Sequence, residues 1–135
     1  MGTPLLTPSL PADLRVIICE DEIVLATEMA QQLELLHVTV VGSAASLAEL
    51  DDLLGQDVGA NAAVLDIQLR DGDTYSILPR LADLGIVAVF YSGYTAEDCP
   101  QHLSHIPWFG KLAPVKDIVD ALCAARDARR HDHNH

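Results

Sequence analysis

Five short apolar runs, separated by stretches of helical spacing, constrain the fold of this chain more than any other feature. The runs cover residues 14–19, 39–42, 62–69, 86–91 and 108–109. Short runs of Val, Ile, Leu and Ala between turn residues are typical of strands that are covered on both faces. Because parallel strands need helical crossovers, the alternation predicts an α/β domain with a doubly wound, five-stranded parallel sheet.

The predicted helices lie after these runs, at residues 23–37, 46–55, 74–84, 95–103 and 118–130. Ser46 is followed three residues later by Glu49, which predicts a capping box at the start of the second helix. Pro79 does not fit a helix interior, so the third helix is predicted either to bend there or to start late. The fourth pattern is short, polar and the weakest of the five.

The two ends of the chain differ in composition from its middle. Residues 1–12 contain three prolines and predict a flexible arm. Residues 13–130 have the length of one ordinary domain. Residues 131–135 are rich in histidine and are expected to fray. Weak binding of a divalent metal, or a cloning remnant, are the alternatives for this tail.

The charge balance argues against several classes of partner. Eight Lys and Arg residues stand against twenty Asp and Glu residues, for a net charge of −12, and such a chain repels nucleic acid. No apolar run approaches the roughly 18 residues of a membrane span, and the first residues do not resemble a secretory signal. We therefore expect a cytoplasmic protein. Cys19, Cys99 and Cys123 are odd in number and lack a CxxC spacing, which predicts reduced thiols.

Charged and polar side chains follow four of the five predicted strands. Glu20 and Asp21 follow the first strand, Asp66 the third, Ser92 the fourth and Lys111 the fifth. The carboxyl ends of parallel strands meet at one edge of the sheet, so these groups are expected to share a pocket. Clustered carboxylates need a hard cation such as Mg²⁺, and the ammonium and hydroxyl can then hold phosphoryl oxygens.

Between about residues 14 and 126, the sequence resembles a receiver domain of two-component response regulators, with the flavodoxin-like (βα)5 fold. The resemblance implies that Asp66, in VLDIQL, is the phosphoacceptor. It implies that Glu20 and Asp21, in IICEDE, hold Mg²⁺ together with Asp66 and that Gln68 supplies a backbone carbonyl to the metal.

The same resemblance assigns roles to the ends of the last two strands. Ser92, in FYSGY, matches the hydroxyl that contacts the phosphoryl group, and Lys111, in FGKLAP, matches the lysine that pairs with it. Trp108 takes the position of the switch aromatic, where Tyr or Phe is commoner. Leu112 follows Lys111 where the family usually has a proline with a cis bond, which puts the path of this loop in question.

The resemblance also implies the partners and the output. A histidine kinase or a His-containing phosphotransfer protein would supply the phosphoryl group, and a downstream protein would read the signal. The chain is expected to be a stand-alone regulator without turnover of an external substrate, and thus not an enzyme. A homodimer through the face of the fourth helix, fifth strand and fifth helix is a further expectation.

Other functions on this fold were weighed against the residues. A flavodoxin-like FMN module needs a hydroxyl- and glycine-rich phosphate loop after the first strand, where acids stand instead. A haloacid-dehalogenase-type phosphatase needs a second Asp where Gln68 stands. Cys99, His102 and His105 have a spacing that zinc could use, although a solvated helix face explains it as well. A pseudo-receiver that only binds proteins, without phosphorylation, stays open.

Overall fold

A computed structural model of the chain describes residues 13–93 and 99–133, with the side chains of the last three of these left aside. The described helices and strands are β1 Arg15–Cys19, α1 Ile23–Leu35, β2 Thr39–Ala44, α2 Leu47–Gly55, β3 Ala62–Leu65, β4 Gln68–Leu69, β5 Gly72–Asp73, α3 Leu78–Asp83, β6 Val87–Ser92, β7 Trp108–Gly110 and α4 Val115–His133. The arm at residues 1–12 lies outside this range.

Five of the strands form a parallel sheet in the order β2-β1-β3-β6-β7. Successive residues of β1 point to opposite faces, so Ile17 belongs to one apolar core and Ile18 to the other. Helices α2 and α3 cover the first core, and α1 and α4 cover the second. The predicted doubly wound, five-stranded fold is confirmed. The chain reverses its direction of winding between β1 and β3, which is where such sheets bind their ligands.

The start of the second helix follows its predicted capping box, with one difference. The Glu49 amide donates to the Ser46 hydroxyl at 3.1 Å. The Glu49 carboxylate accepts in return from the amide of Ala45, at 3.0 Å, one residue before the usual partner. The third helix starts late, because residues Thr74–Ile77 form a 3-10 helix and Pro79 lies in the first turn of α3. Proline fits there, since the first turn has no helical acceptor for its missing N–H.

The fourth predicted helix, at residues 95–103, is wrong over its described part. Residues 95–98 lie outside the described residues, and only Gln101–Leu103 form a single 3-10 turn. Pro100, directly before the turn, has an extended ψ of 138° and lacks an N–H, so it cannot continue a helix. Within the described residues, no helix has both the length and the apolar character of a membrane span.

The strand predicted at residues 62–69 ends early, at Leu65, and its last residues enter an antiparallel hairpin of β4 and β5. The turn of this hairpin is fastened to α2, because the Asp71 carboxylate accepts hydrogen bonds from the amides of Leu47 at 2.6 Å and Ala48 at 3.2 Å. These bonds lower the pKa of Asp71. The segment directly after Asp66 is thereby held against a helix from the other end of the first core.

Candidate functional site

Main-chain hydrogen bonds fix the positions of two acids at the carboxyl edge of the sheet. Asp66 follows β3, and its amide donates to the carbonyl of Cys19 at 2.8 Å. Glu20 follows β1, and its amide donates to the carbonyl of Ala44 at 3.0 Å. The strand pairing therefore extends one residue past each strand, so both carboxylates start from a rigid backbone.

The carboxylates of Glu20, Asp21 and Asp66 form a cluster at this edge. One oxygen from each lies within 4.8 Å of the others. Glu20 is buried, and burial raises the pKa of its carboxyl, an effect that hydrogen bonds from Lys111 and from the Glu22 amide partly offset. Carboxylate oxygens at this spacing suit a hard divalent cation, which takes oxygen ligands and would relieve their mutual repulsion.

Lys111 reaches into the same cluster from the end of β7. Its ammonium forms ion pairs with Glu20 and, at 3.2 Å, with Asp66. Burial opposes the charged form of Lys111, but the hydrogen bond to Glu20 and the charges of Asp66 and Glu20 outweigh burial and raise its pKa. The lysine is therefore charged at neutral pH, and it places a positive group beside the Asp66 oxygen.

The other two polar or aromatic groups predicted at this edge belong to β6 and β7. Ser92 ends β6 and is buried, opposite Gly110 in the strand register. Trp108 is partly buried, and its ring lies against Phe90, with centroids 5.5 Å apart and planes at 60°. Phe90 in turn contacts Tyr75, with centroids 5.6 Å apart. Trp108 thus joins a row of three rings on the first core.

Comparison with known proteins supports the same reading of this edge. No protein-family model matches the chain, and no curated protein sequence matches it. Among solved structures, SdrG from Sphingomonas melonis Fr1 is 27% identical over 84% of this chain and 96% of its own, with a TM-score of 0.71. This chain is a response-regulator receiver domain.

Two further structures share the fold of this receiver domain. The response regulator PhyR from Brucella abortus is 23% identical, with a TM-score of 0.73 over 95% of this chain and 54% of its own. A response regulator from Burkholderia pseudomallei, solved with a phosphorylated aspartic acid and a calcium ion, is 22% identical, with a TM-score of 0.71 over 91% of this chain and 76% of its own.

Tyr91 is a site residue of the receiver domain that sequence reasoning missed. Its hydroxyl donates to the main-chain carbonyl of Lys111 at 2.5 Å, and its ring centroid lies 5.1 Å from the lysine ammonium. No cis peptide bond occurs in the described residues, and Leu112 is almost fully exposed. Lys111 therefore reaches the acids on a trans peptide, and Tyr91 holds its loop. The only signal in the sequence is an aromatic directly before Ser92.

Thr74 is the second residue that was missed. It is fully buried, and its hydroxyl donates to the main-chain carbonyl of Asp66 at 2.9 Å. Its amide donates to the carbonyl of Ile67 at 2.8 Å. Gln68 begins β4 directly after this turn, and its side chain donates to the carbonyl of Leu69 at 3.2 Å. Thr74 thus fixes the backbone on which both Asp66 and Gln68 are carried.

The described cysteines do not add a second metal site to the receiver domain. Over residues 13–93 and 99–133, the three acids form the one group of potential ligands close enough for an ion, and Cys99, His102 and His105 do not form another. Cys19 is buried beneath the acid cluster as a free thiol, and burial raises its pKa to about 12.

Proposed function

We propose that this receiver domain accepts a phosphoryl group on Asp66 from a His-containing donor and passes the signal on by contacts with another protein. The receiver fold supports a role in two-component signalling. The observation that carries the finer proposal is the contact of Lys111 with both Glu20 and Asp66 inside one carboxylate cluster. A nucleophile, a cation and a set of metal ligands are the parts that phosphoryl transfer needs.

In the proposed reaction, a carboxylate oxygen of Asp66 attacks the phosphorus of a phosphohistidine. The new oxygen–phosphorus bond forms as the nitrogen–phosphorus bond breaks, and the imidazole nitrogen keeps the bonding pair and takes a proton from solvent. Lys111 is already 3.2 Å from Asp66, so its ammonium can follow the charge that builds on the phosphoryl oxygens. Thr74 keeps the Asp66 backbone in place during the attack.

Magnesium is the proposed cofactor. Asp21 and Asp66 would hold it directly, Glu20 through water, and Gln68 through its backbone carbonyl. When bound, the ion would neutralise charge on the carboxylates and the phosphoryl group. The fit rests on the three clustered acids, and a relative with the same fold carries a calcium ion together with a phosphorylated aspartate.

The proposed donor is a sensor histidine kinase or a His-containing phosphotransfer protein, and the proposed receiver of the signal is a protein rather than nucleic acid. Phosphorylation would draw Ser92 toward the phosphoryl group and let Trp108 turn inward. The face around β7 and α4 would then contact the target or a second copy of the chain. We further propose that the functional unit is residues 13–130, that it acts in the cytoplasm, and that it does not turn over an external substrate.

Intact mass after incubation with Mg²⁺ and acetyl phosphate tests this function. The wild-type protein should gain the mass of one phosphoryl group, and Asp66→Asn should gain none, because the amide is not a nucleophile. Asp52→Asn, at an exposed acid of α2, serves as the matched control and should be labelled like the wild type. A wild-type protein that binds Mg²⁺ but takes no label would instead be a pseudo-receiver that only binds proteins.

A further inference from the structure

A cavity of about 490 Å³ lies at the end of the sheet opposite the acid cluster. Asn61 and Val87, directly before β3 and at the start of β6, form part of its wall. Five residue steps along β3 separate Asn61 from Asp66, which is about 16 Å at the rise of a strand. The cavity is therefore separate from the proposed phosphorylation site.

Three arginines of α4 line this cavity: Arg126, Arg129 and Arg130. They are three of only eight Lys and Arg residues in a chain of net charge −12. Asp83 is the one acidic residue among the lining residues. The cavity is thus a local region of positive charge in an acidic protein, and such a region attracts anions.

The guanidinium of Arg126 is held inside the protein. The residue is 4% exposed, and its Nε lies 3.5 Å from a carboxylate oxygen of Asp127. A buried charge is costly unless other groups compensate it, and a 3.5 Å contact is a long hydrogen bond for an ion pair. An anion in the cavity would add compensation where the structure provides one distant carboxylate from a neighbouring residue.

The other contacts of the cavity leave it suited to a ligand with a charged and an apolar part. Arg129 donates from Nη2 to the carbonyl of Ala82 at 2.6 Å, which uses one of its five N–H donors and ties α4 to the end of α3. Leu84 and Val87 supply an apolar wall. Gly85 has a φ of +78°, a conformation that keeps a side chain out of this corner.

We propose that this cavity binds a small organic phosphate of the nucleotide type. A terminal phosphate offers three acceptor oxygens and close to two negative charges, which matches several guanidiniums better than a single carboxylate does. The apolar wall would contact the organic part of the ligand. The volume falls in the range of pockets for small molecules. This proposal does not depend on phosphorylation of Asp66.

Calorimetric titration of the full chain with AMP, adenosine, inorganic pyrophosphate and citrate tests the proposal, with EDTA present so that the acid cluster cannot bind a metal–phosphate complex. AMP and pyrophosphate should bind, and adenosine should not, because it lacks the phosphate. Absence of binding by both phosphates would overturn the proposal. Citrate binding as tightly as pyrophosphate would overturn the assignment to phosphates, since charge alone would then be recognised.

Variants locate the binding. Arg130→Gln, at an exposed position that should not affect folding, is expected to weaken AMP binding about tenfold, the effect of one lost charge-assisted hydrogen bond. Lys116→Gln removes a charge from the other end of the same helix and should leave the affinity unchanged. Asp66→Asn should also bind AMP normally. Equal affinity of Arg130→Gln and the wild type would show that the phosphate binds elsewhere and would overturn the proposal.

Discussion

The hydroxyl of Tyr91 donates a hydrogen bond of 2.5 Å to the main-chain carbonyl of Lys111, and the ring of the same tyrosine lies 5.1 Å from the lysine ammonium. Tyr91 therefore contacts both ends of the lysine, its backbone and its charge. Because β6 is a central strand with β3 and β7 on its two sides, Tyr91 connects the loop of Lys111 to the most rigid part of the domain.

We predict that Tyr91→Phe slows phosphorylation of Asp66 while the domain stays folded. The phenylalanine keeps the ring near the ammonium but loses the hydrogen bond to the Lys111 carbonyl, whose net contribution to stability is about 1 kcal/mol. Rates of labelling by acetyl phosphate, with urea unfolding in parallel, measure both effects. Unchanged labelling in a variant that has lost stability would mean that Tyr91 acts on the fold alone.

We predict that Lys111→Met slows phosphorylation, because no positive charge then balances the phosphoryl oxygens. Lys116→Met should be labelled at the wild-type rate, since Lys116 is exposed and pairs with Asp120 within its own helix. Mass spectrometry at timed points compares the two. A reversed order of the two rates would show that the trans peptide after Lys111 has moved this loop away from the site.

The same lysine predicts a pH dependence of stability. The pKa of Lys111 is raised above its ordinary value of 10.5, so the charged form favours folding. This contribution is fully present below pH 10.5 and is lost as the pH rises through the higher pKa of the folded state. Urea midpoints between neutral and alkaline pH should therefore fall more steeply for the wild type than for Lys111→Met. Parallel curves would contradict the electrostatic account.

We predict that Mg²⁺ raises the melting temperature of the unphosphorylated domain, because an ion that binds only the folded state stabilises it. Asp21→Asn should remove most of the shift, since it takes one carboxylate from the cluster. Asp52→Asn, outside the cluster, is the control and should keep the shift. Thermal melts with and without EDTA measure the effect, and a full shift in Asp21→Asn would exclude Asp21 as a ligand.

We predict that beryllofluoride with Mg²⁺ changes the fluorescence of Trp108 and protects it from acrylamide. The indole is partly buried beside Phe90 and lies two residues before Gly110, the register partner of Ser92. Ser92→Ala should reduce the change while Asp66 is still labelled. If the spectrum of a fully phosphorylated wild-type protein stayed the same, Trp108 would be a fixed core residue.

Much of this structure could be predicted because it depends on local pattern. Alternating strands and helices determine the sheet, and residues that follow strands are carried to one edge, so Glu20, Asp66 and Lys111 could be placed near one another before any contact was known. Ser46 and Glu49 likewise act within one helical turn. The described part of residues 95–103 was predicted wrongly, because a weak polar pattern gave no apolar stripe against which Pro100 could be weighed.

The sequence alone thus determined the fold class and the edge where the acids gather. Tertiary structure decided which side chains hold them there. Tyr91 and Lys111 are 20 residues apart, and Asp71 and Leu47 are 24 apart. Residue spacing along a helix or strand carries no information about such pairs, because each bond forms only after separate elements have packed. The arginine cavity has the same origin, since α4, β3, β6 and the end of α3 form its wall only when the whole sheet is assembled.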